Sequence, residues 1–498
     1  MDLNGWAAAF NILIHIKLWT ADLGHIRMVC HGVLMNAVVS PVTDELLRQY
    51  DVSGPRYTSY PTADRFVEAF VATDYVQALQ QRRGGAAALA LPLSLYIHIP
   101  FCESLCYYCA CNKIITKHHE KAAEYLRYLT REVELHTALI GTGQSVSQLH
   151  LGGGSPTFLS DDELRGLMAM LKRNFSFAPG GEYSIEIDPR TIDDKRLDTL
   201  AELGFNRLSF GVQDFDLAVQ KAVHRVQPAE QVFALVAAAR TRGFESINVD
   251  LIYGLPMQSP ESFDRTLAQV VELKPDRIAL YAYAHLPERF KPQRRINTVE
   301  LPSGGAKISM LSRSMAAFMG AGYVYVGMDH FALPDDALAV AKRQGRLHRN
   351  FQGYSTQPDC DLIALGVSSI GRIGATYSQN AKTLEEYYDA LDHGNFPVVR
   401  GLALTRDDLV RRAVIMALMC QGQVQFESID LAYLIEFRSY FAKELEALQA
   451  LAEQGLVLLE DSCIQVTAKG WFFVRAVAMV FDRYLQTDRT RARFSKII

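Results

Sequence analysis

Four cysteines, Cys102, Cys106, Cys109 and Cys111, fall within ten residues of one another in PFCESLCYYCACNK, directly after the apolar run LSLYIHI. Thiols so placed can form disulfides, hold a metal or do redox chemistry. Crowding disfavours disulfides, and so does the compartment, since no export signal is evident. The run WAAAFNILIHIKLW at 6–19 is interrupted by Asn11, His15 and Lys17, and no basic residue precedes it. Structural zinc takes two separated knuckles, or a cysteine pair with histidines. There is no second C-x-x-C, although His118 and His119 lie close enough in sequence to keep zinc as a minor alternative. The spacing C-x3-C-x2-C of Cys102, Cys106 and Cys109 suits three thiolates wrapped around an iron–sulfur cube, a group larger than one ion. Three ligands for four irons leave one iron open to an outside ligand, which is a catalytic arrangement. The remaining cysteines, Cys30, Cys360, Cys420 and Cys463, are scattered and read as ordinary thiols.

What must position such a loop is a repeating scaffold. From about residue 94, short β-branched runs alternate with longer amphipathic segments, the pattern of successive βα units. Six strands are expected, at 94–101, 147–154, 183–189, 207–213, 246–254 and 277–284. Helices such as EKAAEYLRYLTREVELHTALI and DDELRGLMAMLKRNF lie between them, the second with Ser160 as N-cap and Glu163 three residues on. Strands joined this way pair in parallel with right-handed crossovers. The fold class is therefore α/β, a partial (β/α)6, TIM-like barrel with a curved parallel sheet. The carboxyl ends of its strands open on one face. That face collects the cysteine loop, Gly152 to Ser155, Glu186 to Asp188, Gln213 and Asp214, Asp250, and Ala284 with His285.

Beyond residue 323 the rhythm fades, and GMDHFALPDDALAVAKRQGRLHRNFQGYSTQ reads as a short strand, a helix and a polar loop. From Thr405 a mostly helical domain begins and ends in a helix, a hairpin and a helix, resembling a winged helix. The expected divisions are a disordered upstream extension at 1–34, ahead of Met35, and an N-terminal arm with helices at 35–93. The partial barrel at 94–322, a barrel-closing segment at 323–400 and the helical C-terminal domain at 401–498 follow. With 49% hydrophobic and 21% charged residues, disordered and fibrous classes are excluded. A formal charge of -4 gives no footprint for nucleic acid or anionic membrane, so the wing is expected to pack on the barrel. The expected compartment is the cytoplasm.

Further motifs narrow the reading. They are PRYTSYPT (55–62), CYYCACNK (106–113), LHLGGGSPTFL (149–159), SIEIDPR (184–190), GVQDF (211–215), DLIYGLP (250–256), YAHLP (283–287), GMDHFA (327–332), HRNFQGY (348–354) and QVTAKG (465–470). The cysteine motif resembles the radical S-adenosylmethionine superfamily. The whole set, from about Met35 to the C-terminus, resembles the oxygen-independent coproporphyrinogen III oxidase family within it.

The resemblance implies a 4Fe-4S cluster on Cys102, Cys106 and Cys109, whose open iron chelates the amino and carboxylate groups of S-adenosylmethionine. It implies that electron transfer to the sulfonium releases a 5′-deoxyadenosyl radical, which takes hydrogen from a propionate β-carbon. Carbon dioxide leaves and a vinyl remains; two propionates of coproporphyrinogen III react in turn, giving protoporphyrinogen IX. Tyr96, Tyr108, Gly152, Gly153, Gly154 and Glu186 are implied at the first cofactor. A second S-adenosylmethionine is implied at Gly154, Ser155, Gln213, Arg225, Asp250 and Ala284, with Cys111 beside it as a non-ligand. Phe351, Gln352 and Ile370 are implied to close over both, while Ser155 stands where Thr is expected and Tyr108 where Phe is common.

Read without the resemblance, these are a turn, a salt-bridge carboxylate, core aromatics, an ion-pair network across the barrel mouth and a spare thiol. Charge complementarity with four propionates nominates Arg56 and Tyr57 as substrate contacts. The expected partners are coproporphyrinogen III and an electron-donating redox protein, with no nucleic acid, no membrane span and a monomeric chain. Rival readings are a related haem chaperone, a haem-degrading radical methyltransferase and an iron–sulfur redox sensor that binds DNA. The PRYTSYPT arm and Cys111 argue against the chaperone.

Overall fold

The structure, a computed structural model, describes residues 42–85 and 91–487. The proposed extension at 1–34, the run at 6–19 and Cys30 lie outside the described residues. Six strands, β1 (Leu93–Ile99), β2 (Gln144–Gly153), β3 (Phe175–Ile187), β4 (Arg207–Gln213), β5 (Ser246–Tyr253) and β6 (Arg277–Ala282), pair in parallel in chain order. Helices α1 (Glu120–Ile140), α2 (Asp161–Asn174), α3 (Asp194–Leu203), α4 (Ala229–Thr241) and α5 (Pro260–Leu273) fill the crossovers, and α6 (Gly304–Gly320) follows β6. The cap read at Ser160 is formed on both sides: Glu163 N–H donates to Ser160 Oγ at 3.2 Å, and Ser160 N–H donates to Glu163 Oε2 at 2.8 Å.

The strands alternate, although parallel strands covered on both faces usually read as continuous apolar runs. Leu93, Leu95, Ile97 and Ile99 of β1, Leu149 and Leu151 of β2, and Leu208, Phe210 and Val212 of β4 are buried in one hydrophobic core that also takes in residues of α1 to α5. The residues between them are polar and line an internal cavity: Gln148, His150, Ser184, Glu186, Ser209, Asn248 and Asp250. Because successive side chains point to opposite faces, the apolar row attaches each strand to its helices and the polar row is left for the interior.

The sheet is larger than the six expected strands. A seventh parallel strand, Asp361–Leu365, pairs with the free edge of β1. Antiparallel strands at Ile370–Ile373, Thr376–Asn380 and Val398–Ala403 continue on that side, and His330–Ala332 and Val324–Gly327 on the β6 side. The two outermost strands of this 12-stranded order do not meet, so the barrel is partial. The segment read as strand, helix and polar loop also carries a hairpin, His348–Asn350 with Gly353–Ser355.

The C-terminal part has its expected hairpin, Val457–Leu459 with Cys463–Val466, after the helix Ala442–Glu453. It packs against the rest of the chain: Trp471 Nε1–H donates to Val326 O at 3.0 Å, and Tyr354 Oη donates to Met419 O at 2.9 Å. Arg475 donates to Pro55 O at 3.1 Å and also to Gly54 O, fastening the N-terminal arm.

Closure against the seventh strand depends on one buried carboxylate. Glu132 of α1, 1% exposed, accepts from Gly366 N–H at 2.7 Å, Asn380 Nδ2 at 2.7 Å and Tyr387 Oη at 2.6 Å. Burial pushes its pKa up to about 7. Replacing it with Ala strands three donors and is expected to cost about 3 kcal/mol, read as a lower thermal midpoint with the fold retained by circular dichroism. The folded pKa lies above the unfolded one, so the neutral acid's contribution is fully present below about pH 4.5 and is lost as pH rises through about 7. The stability advantage of wild type over Glu132→Gln is therefore expected to shrink between pH 5 and 8 by an amount on the order of 3 kcal/mol.

Candidate active site

The cysteine loop leaves β1 and is fastened on every side. Gly154 N–H donates to Ile99 O at 2.7 Å and Ser155 N–H to Phe101 O at 2.8 Å, prolonging the pairing of β1 and β2 into the loop. His98 bonds Asn112 O through Nε2 at 3.0 Å, and Tyr107 N–H donates to Val223 O at 3.0 Å. Gln293, 2% exposed, donates through Nε2 to Tyr108 O at 3.0 Å and Ala284 O at 3.2 Å, and accepts from Leu286 N–H at 2.6 Å.

The glycines after β2 serve this packing. Gly153 has φ +113°, and a Cβ there would lie 2.6 Å from the His98 ring. A Cβ on Gly154 would lie 2.7 Å from the backbone of Pro100 and Phe101, so the close approach of two strand ends excludes a side chain.

Three cavities adjoin at the carboxyl ends of the strands. One, of about 280 Å³, is lined by Cys102, Cys106, Cys109 and Cys111, by Tyr108, and by Gly153, Gly154 and Ser155. Glu186, Asp188, Arg190, Gln213, Arg225 and Asp250 also line it. A second, of about 470 Å³, is lined by Arg56, Tyr96, Cys111, Phe351, Gln352 and Ile370 among others. The third, of about 160 Å³, is the barrel interior, and Glu186 and Tyr281 line all three.

The charges are arranged in pairs. Glu186 accepts from Gly153 N–H at 3.2 Å and lies 3.3 Å from His150 Nε2, whose Nδ1 is 2.6 Å from Ser184 Oγ. Burial pushes the Glu186 carboxyl up, but His150 and the Gly153 amide outweigh it and hold it below the usual carboxylate range. Tyr96 stacks on His150 with centroids 5.9 Å apart. Asp188 is likewise raised by burial and brought down further by Arg225 and Arg190, at 3.3 and 2.6 Å. Both guanidinium groups also reach Cys106 Sγ at 3.5 Å. Asp250 accepts from Asn248 Nδ2 at 2.9 Å and Ser209 Oγ at 3.2 Å; burial, and then the charge of Glu186, push it up to about 6.

Most of the residues read from the sequence converge, but Gly152, Asp214, His285, Ala284 and Tyr57 do not line these cavities. Ala284 lies just beyond β6 with its carbonyl taken by Gln293, and it is not among the lining residues of these cavities. Tyr57 turns away: it is fully buried and its hydroxyl donates to Asp482 Oδ2 at 2.9 Å. The backbone fixes this, since one step along the arm sends Arg56 and Thr58 to the cavity and the phenol between them into the C-terminal core. His98, His150, Arg190, Tyr281 and Gln293 were not singled out. For His98, His150 and Tyr281 the signal was present as polar or aromatic side chains at the inward positions of alternating strands.

The thiols fit a cluster better than an ion. All four of the clustered cysteines line one cavity beside Arg190 and Arg225, cations suited to thiolate ligands, and soft sulfur donors select iron–sulfur groups or zinc. Among the described residues no His, Cys, Asp or Glu group is gathered as for a single ion. His118 faces Glu120 at 3.0 Å, and His119 faces Glu103 at 3.3 Å and stacks on Phe158, so neither turns to the thiols. Cys102, Cys106, Cys109 and Cys111 are free thiols.

Comparison with known proteins agrees with this geometry. Residues 96–270 match the Radical SAM superfamily and residues 404–473 the HemN C-terminal domain. An oxygen-independent coproporphyrinogen III oxidase of Pseudomonas aeruginosa is 51% identical over 456 residues, 91% of this chain and 98% of that protein. The Escherichia coli protein of the same name is 49% identical over 453 residues, with the same coverage of 91% and 98%. A solved structure of coproporphyrinogen III oxidase (HemN) from Escherichia coli, described as a radical SAM enzyme, superposes with a TM-score of 0.82 at 49% identity, covering 87% of this chain and all of that one. The chain belongs to the oxygen-independent coproporphyrinogen III oxidase family of radical SAM proteins, and its cofactors are a 4Fe-4S cluster and S-adenosylmethionine.

Proposed function

We propose that this chain catalyses the oxygen-independent oxidative decarboxylation of two propionates of coproporphyrinogen III to vinyls, giving protoporphyrinogen IX in haem biosynthesis. The observation that carries the reading is the shared wall at Glu186 and Tyr281: a thiol-lined cavity and a larger one meet there, so cofactor and substrate would meet there too. When bound, the cluster and S-adenosylmethionine supply a hydrogen-abstracting radical.

The chain's own residues divide the remaining work. Cys102, Cys106 and Cys109 hold the cluster, with Arg190 and Arg225 offsetting the charge on Cys106. Glu186, preset by His150 and Gly153, is an ionised acceptor for a cofactor ammonium, and Tyr96 and Tyr108 offer aromatic faces. A second S-adenosylmethionine is proposed at Gly154, Ser155, Gln213, Arg225, Asp250 and Ala284, beside Cys111. Arg225 already spends donors on Asp188 and on Gly211 O, so a ligand carboxylate there shares it. Phe351, Gln352 and Ile370 wall the larger cavity, and Arg56 is the arm's propionate contact. Tyr57 fixes the arm.

One large hydrophobic cluster lies under the barrel, and a second joins the arm, the stretch 308–354 and the region after residue 400. A redox protein is the proposed electron donor, and a cytoplasmic monomer the proposed working form. No helix of the described residues is long and apolar enough to cross a membrane. The decisive experiment is anaerobic turnover of coproporphyrinogen III with dithionite, read by product mass; absence of protoporphyrinogen IX from cluster-loaded protein overturns the reading.

Reconstituted protein is expected to hold one 4Fe-4S centre, lost when Cys102, Cys106 or Cys109 is changed to Ser and kept in Cys111→Ser. Iron content and the cluster's absorbance check this, and equal loss in all four variants sinks the three-ligand assignment.

Glu186→Ala is expected to suppress 5′-deoxyadenosine release even without substrate. Asp250→Ala is expected to keep the cluster and the first S-adenosylmethionine but to bind about one equivalent where wild type approaches two. The second site's loss is about 1.5 to 3 kcal/mol per charge-assisted hydrogen bond. Because only the ionised Asp250 accepts with charge assistance from a ligand hydroxyl, second-site affinity is also expected to fall as pH drops below about 6. One equivalent bound with equal affinity by both proteins returns Asp250 to a structural role.

A further inference from the structure

Positive charge gathers where the N-terminal arm meets the larger cavity. Arg475 reaches Pro55 O, Arg56 lies over the Tyr281 ring with 5.1 Å to its centroid, and Arg349 Nη2 donates to Arg56 O at 3.4 Å. Asp329 is already engaged, 3.3 Å from Arg56 Nη1. Arg349 is 6% exposed, lines the 470 Å³ cavity and packs its guanidinium over Tyr354 with 4.6 Å to the centroid. Its Nε and Nη1 have no hydrogen-bond partner, and no carboxylate among the described residues pairs with it. Neighbouring His330 adds no negative charge: its Nδ1 is 2.6 Å from Met328 O, and burial together with Arg349 keeps the ring neutral, with a pKa of about 4.

A buried cation without a counter-ion is costly, and a planar fork of donors matches a carboxylate. Arg56 and Arg349 line only this one of the three adjoining cavities, whereas Glu186 and Cys111 line both it and the thiol-bearing cavity. The basic groups therefore sit away from the reacting end. We infer that Arg349 anchors a propionate carboxylate of the substrate that is not reacting, completing with Arg56 a two-arginine clamp that orients the ring system towards Glu186. This inference rests on the decarboxylation proposed above and adds the residue that fixes the substrate's orientation.

The test is equilibrium binding of coproporphyrin III, the stable oxidised form with its four propionates, to full-length protein without cofactor, followed by fluorescence. Arg349→Gln is expected to weaken binding at least tenfold. The tetramethyl ester, in the same detergent, is expected to bind wild type and variant alike. Arg349→Lys keeps the charge but not the fork and is expected to fall between them; it also serves if the Gln variant melts early. Equal affinity of wild type and Arg349→Lys or Arg349→Gln for the tetra-acid overturns the clamp. A loss shared by acid and ester also overturns it, because it assigns Arg349 only to packing on Tyr354. If wild type binds neither compound, the substrate reading itself fails and the clamp fails with it.

Discussion

Everything at this site depends on a two-residue alternation inside parallel strands. A barrel whose interior is filled by branched aliphatic layers has no room for chemistry below its rim. Here each strand gives its apolar row to the helices and its polar row to the axis, so Gln148, His150, Ser184, Ser209 and Asn248 continue the site into the sheet. The register aligns these rows: Tyr96 lies opposite His150, Glu186 opposite Ser209, and Gly211 opposite Asp250. A one-residue slip in any strand would turn its polar row into the aliphatic core.

The interior polar groups then require partners, and most of the electrostatics follows from how they find them. Glu186 is satisfied by a histidine and an amide, Asp188 by two arginines, and Asp250 by an amide and a hydroxyl. Two carboxylates on one cavity wall are thus set to lose their protons at different pH, one held low by its neighbours and one raised to about 6 by burial and by the other's charge. That division of labour needs no ligand to set it up.

Much of this was legible in the sequence, for physical reasons that can be traced. The helices α1 and α2, the Ser160 cap and the six strands announce themselves by period and cap chemistry, because those signals are local. The strand-end residues were legible because parallel topology sends all carboxyl ends to one face. What escaped is what long-range contact decides. The strand Asp361–Leu365 follows a stretch without β/α rhythm, and only its pairing with β1 identifies it as part of the barrel sheet. Tyr57 and Arg56 look alike as substrate contacts until the C-terminal core claims the phenol. Arg349 and Gln293 carry no local signal, since their roles are set by partners 293 and 185 residues away in the chain.

Gln293 has a bearing on how far this scaffold can be taken apart. One amide joins the cysteine loop to the carbonyl beyond β6 and to Leu286, so the loop's shape is borrowed from a segment that follows all six barrel strands. The thiol motif is therefore not a portable cassette. Grafted with only its flanking strand and helix into another barrel, it would bring three sulfurs and leave behind the buttress that spaces them; a shuffled or minimised enzyme must carry residues 286–296 along with 100–113 as one unit, however distant they are in sequence.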